Sequence, residues 1–395
     1  MPRFWSRRRA EQPDPLAGPL PDPYLSVVVP VHNVAEYLAS SLDSILRQPL
    51  REIEVIVVDD ASTDGSTEIA EKYAADHDRI RLVKLPEKSG VSIARNVAMP
   101  LCTAPFITFV DSDDDLPPDA WSTMLRTLLR TGSDFVVGSA ERVSSERRYV
   151  TPLMKRNHEV ERLAITIEDA PLMLADVFVW NKIFTREFWE RAAIHFPERT
   201  RYQDQPALTQ AFLAARSFDV ITEIVYEWRF REDLTSATQR RVEISNMRER
   251  RGTKLLTLDM VREHGSAPIM DVLLREILPI DMWEHFRAAV VAGDEYREVL
   301  RDMQQRIWND GTVRFEHTTV PPSQRVMGVL VDQGRWDDLA TLIAHIDSLG
   351  GPAPRAVVDG REEVVLPFRD DPAMPADAYA VQPVRGPQAG THSGR

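Results

Sequence analysis

Four aspartates crowd the stretch Asp111-Ser112-Asp113-Asp114-Asp115, directly after the apolar run Phe106-Ile107-Thr108-Phe109-Val110. Two carboxylates one residue apart, at the end of a buried strand, can both point at a divalent cation. Mg2+ and Mn2+ take carboxylate oxygens and leave coordination positions to substrate phosphates. A cation held by Asp113, with help from Asp111, would stabilise the charge that develops on a departing nucleotide diphosphate. The same stretch also reads as a solvated acidic turn ahead of a helix that opens near Asp119. A second acidic pair, Asp59-Asp60, follows the run Val55-Ile56-Val57-Val58. A carboxylate at a strand end can accept a hydrogen bond from the imino N–H of uracil, while Ser62, Asp64 and Ser66 nearby suit a turn and a helix cap. A third element, Tyr226-Glu227-Trp228-Arg229-Phe230-Arg231, places two arginines after a strand. Arg229 and Arg231 could close over a diphosphate with bidentate hydrogen bonds, or form a solvated basic stripe. No Gly-x-Ser-x-Gly nucleophile motif, phosphate loop of the Walker type or metal spacing among the histidines is present.

These residues need elements to hold them. Leu25-Ser26-Val27-Val28-Val29-Pro30 is a short β-branched run of the kind found in buried parallel strands. Helical spacing follows over 35–48, then a strand over 54–59, a helix over 66–76, a strand over 80–85, a helix over 90–99 and a strand over 106–110. A helix over 119–131 and a strand over 135–138 continue the series, and 141–161 reads as a polar excursion. A helix over 202–215 and a strand over 220–229 complete it. Strands alternating with helices predict an open, mostly parallel α/β sheet, which binds ligands at the carboxyl ends of its strands. Both acidic clusters sit at such ends. Beyond Arg241 the apolar positions fall at helical spacing, among them Leu255, Leu258, Val261, Leu273, Leu274 and Ile277.

Composition narrows the partners. Lys and Arg number 48 against 61 Asp and Glu, a net charge of −13, which argues against a general nucleic-acid binder. A single cysteine, Cys102, excludes an internal disulfide and a cysteine-based zinc site, and suits a reducing, cytoplasmic setting. No apolar run approaches the roughly 18 residues that span a bilayer. The N-terminus carries Arg3, Arg7, Arg8 and Arg9 with Phe4 and Trp5 but no apolar core, so it is not read as a secretory signal. It reads first as a solvated tail and second as a peripheral contact with an anionic membrane face.

In order along the chain, four blocks together resemble the family 2 glycosyltransferases, inverting enzymes with the GT-A fold. They are Ser26-Val27-Val28-Val29-Pro30-Val31-His32-Asn33, Val58-Asp59-Asp60-Ala61-Ser62-Thr63-Asp64-Gly65-Ser66, Gly90-Val91-Ser92-Ile93-Ala94-Arg95-Asn96 and Asp111-Ser112-Asp113-Asp114. The resemblance spans roughly residues 24–235. It implies that the Pro30 region lines the nucleotide base, that Asp60 reads uracil and that Arg95 lies near the nucleotide and the acidic motif. It further implies that Asp113 ligates Mn2+ or Mg2+, with Asp111 toward ribose and metal. The segments Trp180-Asn181-Lys182-Ile183-Phe184 and Arg201-Tyr202-Gln203-Asp204-Gln205-Pro206 resemble the acceptor half of bacterial wall-polymer and capsule members, where Asp204 matches the catalytic base. Gln203 stands where Glu is usual, and His32 where Tyr is common. Inverting displacement itself requires a group that takes the acceptor hydroxyl's proton, although an aspartate at a helix N-terminus is also favoured by the dipole alone.

The expectation is therefore a Pro-rich tail over 1–23, a GT-A domain over 24–240, a helical region over 241–349 and a flexible tail with one short hairpin over 350–395. The expected activity is transfer of a sugar from a nucleotide-diphosphate sugar, a UDP-sugar by the Asp60 resemblance, to a glycan or polyol-phosphate hydroxyl. The competing expectation is a non-catalytic sugar-nucleotide or polymer-binding module, which the Gln203 departure keeps open. The helical region is expected to pack on the transferase domain or to form a surface for self-association.

Overall fold

A computed structural model describes residues 14–230, 242–309 and 313–384. Within them the chain forms two compact units.

The first unit contains the sheet. Its elements are β1 (Leu25–Val31), α1 (Ala35–Leu46), β2 (Ile53–Asp59), α2 (Ser66–Asp76), β3 (Ile80–Lys84), α3 (Val91–Ala98), β4 (Phe106–Phe109), α4 (Ala120–Thr131), β5 (Phe135–Val143), β6 (Arg148–Tyr149), α5 (Pro152–Asn157), β7 (Arg162–Ile165), β8 (Lys182–Thr185), α6 (Arg186–Arg191) and β9 (Phe218–Arg229). The sheet order is β3-β2-β1-β4-β8-β5-β9-β7, with β6 paired to β5. β3, β2, β1 and β4 run parallel, as the β-branched strands and intervening helices require. β8 enters antiparallel between β4 and β5, and β9 pairs parallel to β5. The architecture is the expected mostly parallel sheet flanked by helices, with one reversed strand at its centre.

One expectation about the sheet changes. The polar excursion over 141–161 is ordered structure: β5 runs on to Val143, and β6 and α5 follow. Glu141, Arg142 and the polar run from Ser144 to Arg148 leave no apolar run to mark it. The β5–β9 pairing also depends on Gly138, where an added Cβ would meet both Val225 methyls at 2.5 and 2.6 Å. Gly138→Ala should destabilise the fold by about 1–3 kcal/mol through overpacking. A urea midpoint equal to wild type would show that the two strands do not hold this close approach.

The second unit comprises 166–179, 192–215 and 230–395. It contains α7 (Asp204–Ala214), α8 (Ile244–His264), α9 (Ala267–Val272), α10 (Met282–Val291), α11 (Asp294–Trp308), α12 (Pro322–Asp332), α13 (Trp336–Ser348), β10 (Arg355–Val358) and β11 (Arg361–Val364). Its core includes Leu258, Leu274, Phe286, Leu300, Trp308, Leu330 and Leu342. α7 packs on α8 and groups with the helices that follow it.

Residues 350–384 include the hairpin β10–β11 and a short helical turn over Ala376–Tyr379. The hairpin forms with Asp359 (φ 50) and Gly360 (φ 78) at its tip, the left-handed pair of a tight hairpin turn. Leu366, Met374, Ala378, Tyr379 and Ala380 are buried, and the Arg325 guanidinium on α12 donates to the Ala380 carbonyl. The basic N-terminal residues Arg3 to Arg9 lie outside the described residues. Among the described residues, no helix is long and apolar enough to cross a membrane.

Candidate active site

At the carboxyl ends of β1 and β2, two loops are joined by side chains of the first two sequence blocks. Pro30 is buried in β1 opposite Val58. His32 Nδ1 lies 2.7 Å from the Asp60 carbonyl. Asn33, in a left-handed conformation (φ 52), donates its N–H to Ser62 Oγ and accepts the Thr63 N–H on Oδ1 at 2.8 Å. Ser66 Oγ and Asp64 Oδ2 accept the N–H groups of Val34 and Ala35, both at 2.9 Å. Asp59 accepts from Ser62 N–H and from the Thr67 hydroxyl at 2.7 Å, so it is a turn residue.

Asp60 is buried, and its two oxygens accept the backbone N–H groups of Ser89 (2.6 Å) and Gly90 (2.8 Å). The carboxylate thus fastens the loop that leads into α3. Gly90 has φ 96, which a residue with a Cβ adopts only under strain. Downstream on α3, the buried Arg95 donates from Nη2 to Asp111 Oδ1 at 2.7 Å.

The acidic loop after β4 hangs from β9. The Asp111 N–H donates to the Tyr226 hydroxyl (3.0 Å), which donates to Asp114 Oδ2 (3.0 Å), while the Arg229 N–H donates to Asp114 Oδ1 (2.7 Å). Asp115 and Glu227 exchange backbone hydrogen bonds at 3.3 and 3.0 Å. Burial, and then the neighbouring Asp113 and Asp111 charges, push the Asp114 carboxyl well above the usual carboxylate range. Burial and the Asp114 charge raise the Tyr226 phenol, which keeps it a donor. Trp180 stacks on Tyr226 with ring centroids 4.1 Å apart. Asp114 is therefore an internal strut, whereas Asp111 and Asp113 are only half-buried.

Among the described residues no three His, Cys, Asp or Glu side chains form a closed metal cage. Two half-buried carboxylates fit a hard cation whose remaining ligands come from a diphosphate, the usual mode for Mg2+. Tyr226→Phe removes the hydroxyl that serves both the Asp111 N–H and the Asp114 carboxylate. It should lower stability by about 1–3 kcal/mol, the cost of leaving buried polar groups unmatched. An unchanged denaturation midpoint would show that the acidic loop does not depend on this hydroxyl.

Arg229 is engaged by side chains of its own unit. Its guanidinium pairs with Asp115, donates to Ser40 Oγ at 3.3 Å and lies 5.3 Å above the Tyr37 ring. A charged fork at a strand end finds the nearest carboxylate, and Asp115 is placed there by its backbone pairing with Glu227. Arg231, the other arginine expected at the diphosphate, lies outside the described residues.

One basic residue escapes the sequence reading. Arg142 lies 3.6 Å above the Trp228 ring, and burial lowers its guanidinium while Tyr149, Asp114 and Asp113 oppose that shift. Its signal is hidden because β5 reads as ending at Gly138, which leaves Arg142 in an apparent loop. The segment Trp180–Phe184 supplies the reversed strand β8, with Asn181 Nδ2 donating to the Gly138 carbonyl (2.9 Å) and Lys182 Nζ to Asn181 Oδ1 (2.9 Å).

In the second unit, Asp204 opens α7, where the helix dipole favours a carboxylate. The buried Gln203 donates from Nε2 to Asp204 Oδ1 at 3.2 Å. The residue that departs from the usual acidic pair thus orients its neighbour without adding a second charge.

With the strand-end loops and the acidic motif in place, the match to a known family follows the same residues. The model for glycosyl transferase family 2 matches residues 26–188, which run from β1 through the acidic loop to α6. Over these residues the chain resembles family 2. The chain is 33% identical over 211 residues to the uncharacterized glycosyltransferase EpsJ of Bacillus subtilis, covering 52% of this chain and 61% of EpsJ. It is 27% identical over 227 residues to glycosyltransferase GlyG of Streptococcus pneumoniae, covering 54% of this chain and 73% of GlyG. It thus spans less than two thirds of EpsJ. In three dimensions it resembles the 1–349 portion of S. aureus TarS, solved with UDP-GlcNAc, at a TM-score of 0.67 and 21% identity, over 87% of this chain and 97% of that one. That likeness establishes the fold and extends it beyond the family 2 segment.

Proposed function

We propose that the chain transfers a sugar, with inversion, from a nucleotide-diphosphate sugar to a hydroxyl of a wall or capsular glycan or polyol phosphate. The observation that carries the proposal is the acidic loop at the end of β4. Tyr226 and the β9 backbone hold Asp114 and Asp115, and Asp111 and Asp113 are left half-buried beside them. Bound there, Mn2+ or Mg2+ would neutralise charge on the leaving nucleotide diphosphate. Arg95 fixes Asp111 through its 2.7 Å hydrogen bond. Asp204 takes the acceptor hydroxyl's proton, with Gln203 holding one carboxylate oxygen. The Pro30 loop and Asp60 form the base side of the donor site, with Asp60 acting through the Ser89–Gly90 backbone that it fastens. A uridine nucleotide is the first choice of donor: TarS, the fold relative, was crystallised with UDP-GlcNAc.

A thermal-shift screen of UDP-, GDP-, CDP- and dTDP-sugars with Mn2+ tests the donor class. A shift with UDP-sugars that disappears without the metal is expected. Stabilisation by another nucleotide alone would reassign the base specificity, and none at all would count against the transferase reading.

A further inference from the structure

Helix α8 touches the segment that carries Asp204 at Arg201, Tyr202 and Gln205. The Arg201 N–H donates to Glu249 Oε2 at 2.6 Å, and the Tyr202 hydroxyl donates to Asn246 Oδ1 at 2.9 Å. The Arg250 guanidinium lies 4.6 Å above the Tyr202 ring, and its Nη1 donates to Gln205 Oε1 at 2.9 Å. Residues 246, 249 and 250 share one face of the helix by their spacing. The loop needs such a grip: Tyr202 sits at φ 61, a left-handed conformation that a residue with a Cβ adopts only under strain.

Behind this contact Arg250 is itself anchored. Its other edge pairs with Asp281, which also accepts from Lys254 Nζ at 2.7 Å, and Lys254 donates to the Leu278 carbonyl at 2.6 Å. Burial, and then the Arg250 charge, pull the Lys254 ammonium down to about 8. Burial alone would raise the Asp281 carboxyl, but Arg250 and Lys254 hold it well below the carboxylate range. Packing two helices needs no buried ions, and apolar residues of similar volume often serve better. A planar fork does what apolar groups cannot: one edge grips a carboxylate and the other fixes the orientation of an amide.

We propose that Arg250 is a positioning residue: held by Asp281, it fixes Gln205 and Tyr202, and through them the orientation of Asp204 at the start of α7. The inference rests on Asp204 being the base assigned above. Lysine at 250 keeps a cation for Asp281 but cannot also fork to Gln205. Methionine at 205 cuts the link from the other side and leaves Arg250, Asp281 and Lys254 intact.

The test uses the full chain with Mn2+ and whichever of UDP-, GDP-, CDP- and dTDP-linked glucose or N-acetylglucosamine the wild type turns over, read as nucleotide release. Arg250→Lys and Gln205→Met should each lower kcat by about 10- to 10²-fold, the scale of a misplaced catalytic group, with donor KM within about twofold of wild type. In an Asp204→Asn background neither substitution should lower kcat further, because a base that is absent cannot be misplaced. Single variants with wild-type kcat overturn the proposal, as do losses that persist in full in the Asp204→Asn background. If instead Asp204→Asn turns over like wild type, or the wild type releases nucleotide from none of the donors, the underlying assignment fails.

Discussion

Asp204→Asn should lose transfer by roughly 10²-fold or more, the scale of a general base, while donor affinity stays near wild type. The geometry makes asparagine a close replacement. Asp204 is in the first turn of α7, and Gln203 Nε2 donates to its Oδ1, a bond that an amide oxygen can still accept. What asparagine cannot do is take a proton from an acceptor hydroxyl. The loss should therefore appear in kcat and leave donor KM nearly unchanged, the pattern of an interaction that matters only as the transition state forms. Nucleotide release in steady state, with donor binding measured separately by calorimetry, separates the two quantities. A collapse of donor affinity with surviving turnover at saturation would make Asp204 a binding residue instead.

The second large effect is expected at Asp113. Replacing it with asparagine should cost roughly 10²- to 10³-fold in turnover, the range seen when one group that stabilises developing charge is removed. A chelator should have a comparable effect on the wild type, reversed by Mn2+ or Mg2+. Asp113 is the right residue to test because it stands half-buried in the acidic loop, two residues from Asp111, and asparagine matches its size. Asp113→Asn should keep the fold, with a thermal midpoint near that of wild type in the absence of ligand. Asp114→Asn gives the contrast. It alters a fully buried strut, so its first effect should be on stability.

Much of this arrangement was visible in the residues. The runs Val27-Val28-Val29 and Val55-Ile56-Val57-Val58 are buried on both faces, and such strands announce themselves by continuous β-branched sequence. The aspartates immediately after Val55-Ile56-Val57-Val58 and Phe106-Ile107-Thr108-Phe109-Val110 had to sit at strand ends. The roles that individual acids play there were less visible, because their partners are distant in sequence. Asp60 fastens amides 29 and 30 residues away, and Asp114 meets Tyr226 across 112 residues. Nothing local distinguishes a carboxylate that fastens a loop from one that faces a ligand. Tyr226 and Trp228 were masked by the arginines beside them, and Arg142 by the polar residues Ser139, Glu141 and Ser144 around it.

The boundary between the units was hidden for a similar reason. α7 lies inside the stretch resembling the transferase family, yet it packs on α8, whose own spacing signals only an amphipathic helix. A chain cut near residue 240 would strip α7 of that support, so poor transfer by such a fragment would report a disturbed Asp204 loop as readily as a lost acceptor contact.

The central claim is that the acidic loop after β4 serves the breaking of a sugar–nucleotide bond. The most direct measurement is UDP release from UDP-sugars by the full chain with Mn2+, alongside the Asp113→Asn variant and a chelator-treated sample. Release by the wild type, abolished in both controls, is the predicted result. Equal release by Asp113→Asn, or no release from any UDP-, GDP-, CDP- or dTDP-sugar, would contradict it.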